Sequence, residues 1–146
     1  MPKNFLALEG ELVARLKEQL SSQVPPVHVL TSSELADVVE EKQLTPAVHV
    51  MYRGYAVGEG RYDGKACPVM QSWLAVVVTR STRNLASGLD ARQQAGALAG
   101  VVLEALMGFK PASSSKPLML VNAPQADYSG GHQYIPFGFA IETVQP

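Results

Sequence analysis

Histidine, cysteine and glycine are the residues with the most chemical potential in this chain of 146 residues, which has three histidines, one cysteine and 12 glycines. Histidine is the usual metal ligand and proton carrier near neutral pH. Yet His28, His49 and His132 stand far apart, with no His-x-x-x-His or His-Glu-x-x-His spacing among them. A zinc centre needs three or four ligands, and these residues supply no such set. Cys67 has no CxxC partner, and a thiol becomes reactive only in a specific electropositive setting. No G-x-S-x-G elbow presents a hydrolase serine. Gly58-x-Gly60 precedes a strand pattern where a dinucleotide fingerprint needs a helix, and no G-x-x-x-x-G-K-[ST] phosphate loop is present. Gly130-Gly131 reads as a turn ahead of the final strand. The expectation is a protein that is not an enzyme, with no catalytic residue, no cofactor and no metal.

The composition, 47% hydrophobic and 17% charged, is that of an ordinary globular chain. At this length one domain spanning 1–146 is expected, large enough to bury a core without disulfide or metal staples. No apolar run reaches the length of a membrane span, and the opening MPKNFLALEGEL carries acids where a signal peptide needs an apolar stretch. A soluble, cytosolic protein without membrane contact is the expectation. The net charge of −1 excludes a globally basic nucleic-acid binder, but the charge is uneven: −3 over residues 1–52, +4 over 53–116 and −2 over 117–146. Such a profile fits either one positively biased face or ordinary solvated loops.

These residues must be positioned by elements that hydrophobic periodicity makes legible. Leu8, Leu12, Leu16 and Leu20 recur every four positions and predict a helix over about 5–21, ended by Ser21-Ser22 and Pro25-Pro26. A short strand follows over 27–30. Thr31 and Glu34 have capping-box spacing and predict a short helix through about Glu41, stopped by Thr45-Pro46. The run AVHVMYRGYAV, 47–57, suits a strand with Val48, Val50, Tyr52 and Ala56 on one face and His49, Met51, Arg53, Tyr55 and Val57 on the other. A second strand over about 69–80 would pair with it as a hairpin with a long, adaptable tip.

After a polar connection over 81–89, Asp90 is an N-cap for a helix over 91–107, with Ala91, Ala95, Leu98, Val102 and Leu106 inward and Gly108 at its end. Gly96 and Gly100 lie on one side of that helix at a cost of about 1 kcal/mol each relative to alanine. The low bulk they create suits close packing on the helix's own sheet or close approach by a neighbouring subunit. Strands over about 118–122 and 133–144 close the chain, and Pro136 in the last one favours an edge or a bulge. The element order predicts an α+β fold: a mostly antiparallel sheet with the two long helices packed on one face.

Taken in order, FLALEGELVARLKEQL, VHVMYRGYAV after a Thr-Pro break, QSWLAVVVTRS, ARQQAGALAGVVLEALMGFKP and QYIPFGFAIET cover nearly the whole chain. Together they resemble the tail terminator proteins of tailed bacteriophages, including the Mu-like prophage tail family. The resemblance lies in a pattern of elements and short phrases, not in a catalytic signature. It implies a non-enzymatic virion assembly protein: a ring, hexameric in kind, at the head-proximal end of the tail tube. Such a ring stops tube polymerisation, docks the head connector and, in contractile tails, touches the last sheath ring. Its implied partners are its own copies, the tube protein, the connector and the sheath. Genomic DNA would pass through the lumen without sequence-specific binding. The implied location is the virion, with assembly in the host cytoplasm.

The family offers no catalytic residues to carry over, so candidate contacts come from the residues themselves. The hairpin loop 58–68 combines glycines with Arg61, Tyr62, Asp63 and Lys65, and arginine and tyrosine are enriched where interfaces concentrate their energy. Together with Gly96 and Gly100 they form a candidate subunit or tube interface; a mobile, solvent-exposed tip is the competing reading. Arg80, Arg83, Lys110 and Lys116 are candidates to line a lumen or to pair with acidic faces of the next subunit. The residues alone leave open another head–tail joining or tube protein, or a small ligand-binding or enzymatic α+β domain.

Overall fold

The computed structural model describes residues 4–36, 38, 39, 42–59, 62–80 and 89–145, with side chains omitted at 89–92 and 145. The elements run α1 (Ala7–Gln19), β1 (His28–Thr31), α2 (Ser32–Leu35), β2 (Ala47–Val57), β3 (Cys67–Arg80), α3 (Leu89–Leu106), β4 (Met119–Val121), β5 (Asp127–Ser129) and β6 (His132–Gln145). They build one six-stranded sheet in the order β1-β2-β3-β6-β4, with β5 also paired to β6. Only β1 and β2 run parallel, since residues 32–46 form a crossover between them; the other pairs are antiparallel. The fold is α+β, as the element order predicts.

Both long helices lie on one face of the sheet. The four-residue leucine period of α1 delivers Leu8, Leu12, Leu16 and Leu20 to the core, where Ala95, Leu98, Val102 and Leu106 of α3 meet them. Beneath lie Val48 and Val50 of β2, Trp73, Ala75 and Val77 of β3, and Phe139 and Ile141 of β6. Arg15 ties the two helices together: its Nε donates to the Ala105 carbonyl at 3.0 Å and its guanidinium lies 4.9 Å from the Phe109 ring centre. Gly108, at φ +75°, turns the chain out of α3, as expected for a glycine just past a helix. The turn brings Leu118 back beside Phe109, whose carbonyl accepts the Leu118 N–H at 2.8 Å.

Four local expectations are corrected. The capping box at Thr31 is present, with Glu34 Oε1 accepting the Thr31 N–H at 3.1 Å. However, α2 stops at Leu35 and does not run to Glu41. Its apolar residues beyond that point, Val38 and Val39, are exposed and give a longer helix no buried stripe. In β2 the pairing with β3 shifts between Tyr52 and Gly54, and Gly54 has φ +123°. This bulge puts Tyr55 opposite Gln71 and Val57 opposite Val69, on the helix-bearing face, where strict alternation assigns them to the other side.

The third correction is β5, a strand where only a turn is expected: Gly130 and Gly131, at φ +58° and +82°, join it to β6 as a hairpin. The fourth concerns Pro136, which lies inside the sheet, opposite Val76 of β3. On the other flank of β6, β5 pairs with 132–134 and β4 with 138–140, so Pro136 occupies the gap between them. A residue without an N–H is tolerated where one side of its strand has no ladder partner.

Candidate functional site

The β2–β3 hairpin extends beyond the helices, and from Met51 onward β2 is mostly exposed. At its tip Tyr62 is fully exposed, and Asp63 and Lys65 are also on the surface. The tip has internal order: Asp63 Oδ1 accepts the Lys65 N–H at 3.0 Å, and Gly64 between them has φ +73°. A bonded Asx-type turn with a left-handed glycine holds the neighbouring Tyr62 outward from a defined base. Arg61 lies outside the described residues.

Where the hairpin leaves the helix layer, an aromatic cluster anchors it. Phe5 meets Tyr52 and Tyr55 edge to face, with ring centres 6.4 and 5.6 Å apart, and Tyr52 packs against Trp73 at 5.2 Å. Gln71 is buried beside them and satisfied at both ends. Its Nε2 donates to the Phe5 carbonyl at 2.9 Å and its Oε1 accepts the Trp73 indole N–H at 3.1 Å. Without that glutamine, an indole N–H and a backbone carbonyl would be stranded in the core, each at about 1–3 kcal/mol.

Gly96 and Gly100 do not pack on the sheet. Both are exposed, and a Cβ built on either would meet nothing within 4 Å. The helix therefore turns a low-relief strip of Gly96, Ala97 and Gly100 outward, while Ala95, Leu98 and Ala99 make the buried contacts. Of the two sequence readings, packing on the protein's own sheet is excluded.

The four basic candidates are dispersed. Arg80 ends β3 opposite His132 and is half-buried. Lys110 is exposed, and Lys116 pairs with Glu142 at 3.2 Å on the surface. Ser114 pins the same loop to β6 through the Glu142 carbonyl at 3.1 Å. Arg83 lies outside the described residues. The structure therefore assembles no continuous cationic patch from the described members of this set.

The histidines also stay apart. His28 is on the edge strand β1, His132 is fully buried at the start of β6, and His49 is buried in β2 on the face away from the helices. Nε2 of His49 has no hydrogen-bond partner, and burial holds its pKa below the ordinary 6.5. Among the described residues no group of three or more His, Cys, Asp or Glu side chains could hold a metal ion. No helix among them is long and apolar enough to cross a membrane.

What sequence reasoning missed is a recess of about 370 Å³ beside the first turn of α1, walled by Asn4, Phe5, Gln71, Ser113, Thr143 and Val144 among others. Thr143 Oγ1 is buried there without a hydrogen-bond partner. No motif signals such a site, because its walls come from four separate segments of the chain. Against known proteins, a family model described as phage tail terminator protein matches residues 2–145. No curated protein matches the chain.

Proposed function

Because this chain belongs to the phage tail terminator protein family and so has a structural role in the phage tail, we propose that it closes the head-proximal end of the tail tube as a ring of identical subunits. The ring is hexameric. It stops tube polymerisation and offers its upper face to the head connector, with a sheath contact if the tail is contractile. The protein performs no catalysis, assembles in the host cytoplasm and remains in the virion, and the genome passes through the ring without sequence-specific contact.

The observation that carries this reading is the family match over residues 2–145, which engages every element of the fold. The geometry supports it through a rigid α+β body with two outward features. The hairpin tip has an ordered base, and the exposed strip of α3 has no bulk to keep a partner at a distance. A head-to-tail ring needs two different surfaces on each subunit, one to meet the neighbour on either side. Arg80, Arg83, Lys110 and Lys116 remain the basic candidates for the lumen or the subunit boundary, with Lys116 the least available because of its ion pair with Glu142.

The test is to make tails with and without the protein. Without it, tubes of uncontrolled length that join no heads are expected, and purified protein should restore both length and joining. Averaged end-on electron-microscope images of capped tubes should show sixfold symmetry. Tails of normal length in its absence would overturn the reading.

A further inference from the structure

The base of the β2–β3 tip carries chemistry that the assembly role does not use. Asp63 is followed by Gly64, while every other aspartate and asparagine of the chain is followed by a residue with a side chain. A side chain shields the backbone nitrogen of its own residue, and glycine leaves that nitrogen open. Both Asp63 and Gly64 are exposed, so water reaches the carboxyl group and the peptide link beside it. The turn adds a constraint of position. Asp63 Oδ1 accepts the Lys65 N–H at 3.0 Å, and the ring closed by that hydrogen bond runs through the Asp63 Cγ and the Gly64 nitrogen. The carboxyl carbon is thus folded back over the peptide unit that follows it. Asp127 makes the contrast. It is exposed too, but Tyr128 after it is bulky and pairs with Gln133 of β6, which holds the backbone extended.

The geometry points to Asp63–Gly64 as a site of spontaneous covalent modification, at which the chain converts its own aspartate to isoaspartate with water as the co-reactant. The Gly64 nitrogen attacks Cγ of the protonated carboxyl group. The N–Cγ bond forms, a Cγ–O bond breaks, and the amide proton leaves with the hydroxyl group as water. The product is a succinimide ring. Water then adds to either of its carbonyl carbons and the C–N bond there breaks, returning a proton to the nitrogen. Opening at Cγ restores aspartate. Opening at the Asp63 backbone carbonyl carbon leaves the main chain running through Cγ, as isoaspartate. Nothing is oxidised or reduced, and the mass is unchanged. The isoaspartate form has an extra methylene in its backbone and a carboxylate on Cα, so the Asp63 Oδ1 bond that orders the turn is lost. The ordered base beneath Tyr62 therefore has a lifetime.

The test incubates the full-length folded protein in neutral buffer made with heavy-oxygen water, beside a sample held unfolded in urea. Trypsin then releases residues 62–65, because Arg61 and Lys65 bound them. A second chromatographic form of that peptide should grow with time, carry heavy oxygen and accept a methyl group from an isoaspartate methyltransferase. The folded protein should convert at least as fast as the unfolded one, since the turn presents the carboxyl group to the nitrogen. The peptide that holds Asp127 should stay unconverted in the folded sample. Asp63→Glu, which keeps the charge but would need a larger ring, should lose the second form altogether. No second form in the folded sample, or conversion severalfold slower there than in urea, would overturn the site by showing that the turn protects Asp63.

Discussion

Phe5 and Tyr55 meet edge to face with ring centres 5.6 Å apart, although plain alternation along β2 would put Tyr55 on the opposite side of the sheet. The bulge between Tyr52 and Gly54 makes the contact, resetting the side-chain phase halfway along the strand. Gly54 allows it, because φ +123° is a backbone angle that other residues adopt only under strain. Gly54→Ala meets no steric obstacle, so its cost is conformational, about 1–3 kcal/mol. Thermal or denaturant unfolding should show that loss, together with a weakened Phe5–Tyr55 contact by NMR.

Gly138 presents the opposite case, with ordinary backbone angles but no room. A Cβ there would stand 2.6 Å from the Asn122 carbonyl oxygen and 3.0 Å from that of Val121, both backbone atoms. Gly138→Ala should therefore push β4 off β6 and cost about 1–3 kcal/mol. Hydrogen exchange should speed up at residues 119–121 and stay unchanged in α1. Unchanged protection of β4 would refute the close approach.

The glycines of α3 have room and no strain. Gly96→Ala and Gly100→Ala should each raise the stability of the isolated subunit by about 0.5–1 kcal/mol, because they relieve the helix of backbone entropy. Gly100→Leu should likewise not lower the melting temperature of the isolated subunit, since leucine is a good helix former and the space around Gly100 is open. If the exposed strip meets a neighbour, that variant fails to cap tubes while remaining folded. Loss of folding would contradict the open space found around Gly100.

His49 gives the molecule a pH dependence of known sign. Burial makes its folded-state pKa lower than the ordinary 6.5. Below that value the unfolded chain binds the proton more readily than the folded one, so stability falls as pH drops from the ordinary value toward the folded one. Melting curves of wild type and His49→Gln between pH 8 and pH 5 should diverge in slope, with wild type the steeper. Parallel curves would show that His49 titrates normally.

Much of the fold was legible because it rests on long periodic segments. The leucines of α1, the inward stripe of α3 and the alternation of β6 all reach the core they predict. What escaped depends on events outside any one segment. Asp127–Ser129 is a strand because β6 offers it a partner; a three-residue run with one strand-favouring residue, Tyr128, is too short to signal it. The phase change in β2 needs only one extra residue. At the candidate site, the tip and its exposed tyrosine could be read from composition and turn chemistry. The recess beside α1 could not, since Phe5, Gln71, Ser113 and Thr143 are brought together only by the finished fold.

The pairing of β3 with β6 spans roughly 50–80 residues of intervening chain, and β6 is the last strand of the sheet. During synthesis, β2 and β3 can form their hairpin early, while the other flank of β3 stays open until α3, β4 and β5 have emerged. The wall that includes Thr143 is completed in that same late step. An incompletely translated chain can therefore form the β2–β3 hairpin before it has the complete recess beside α1. The recess is thereby a late feature of the fold: a chain that stops short of β6 has the hairpin but lacks the wall that Thr143 and Val144 supply.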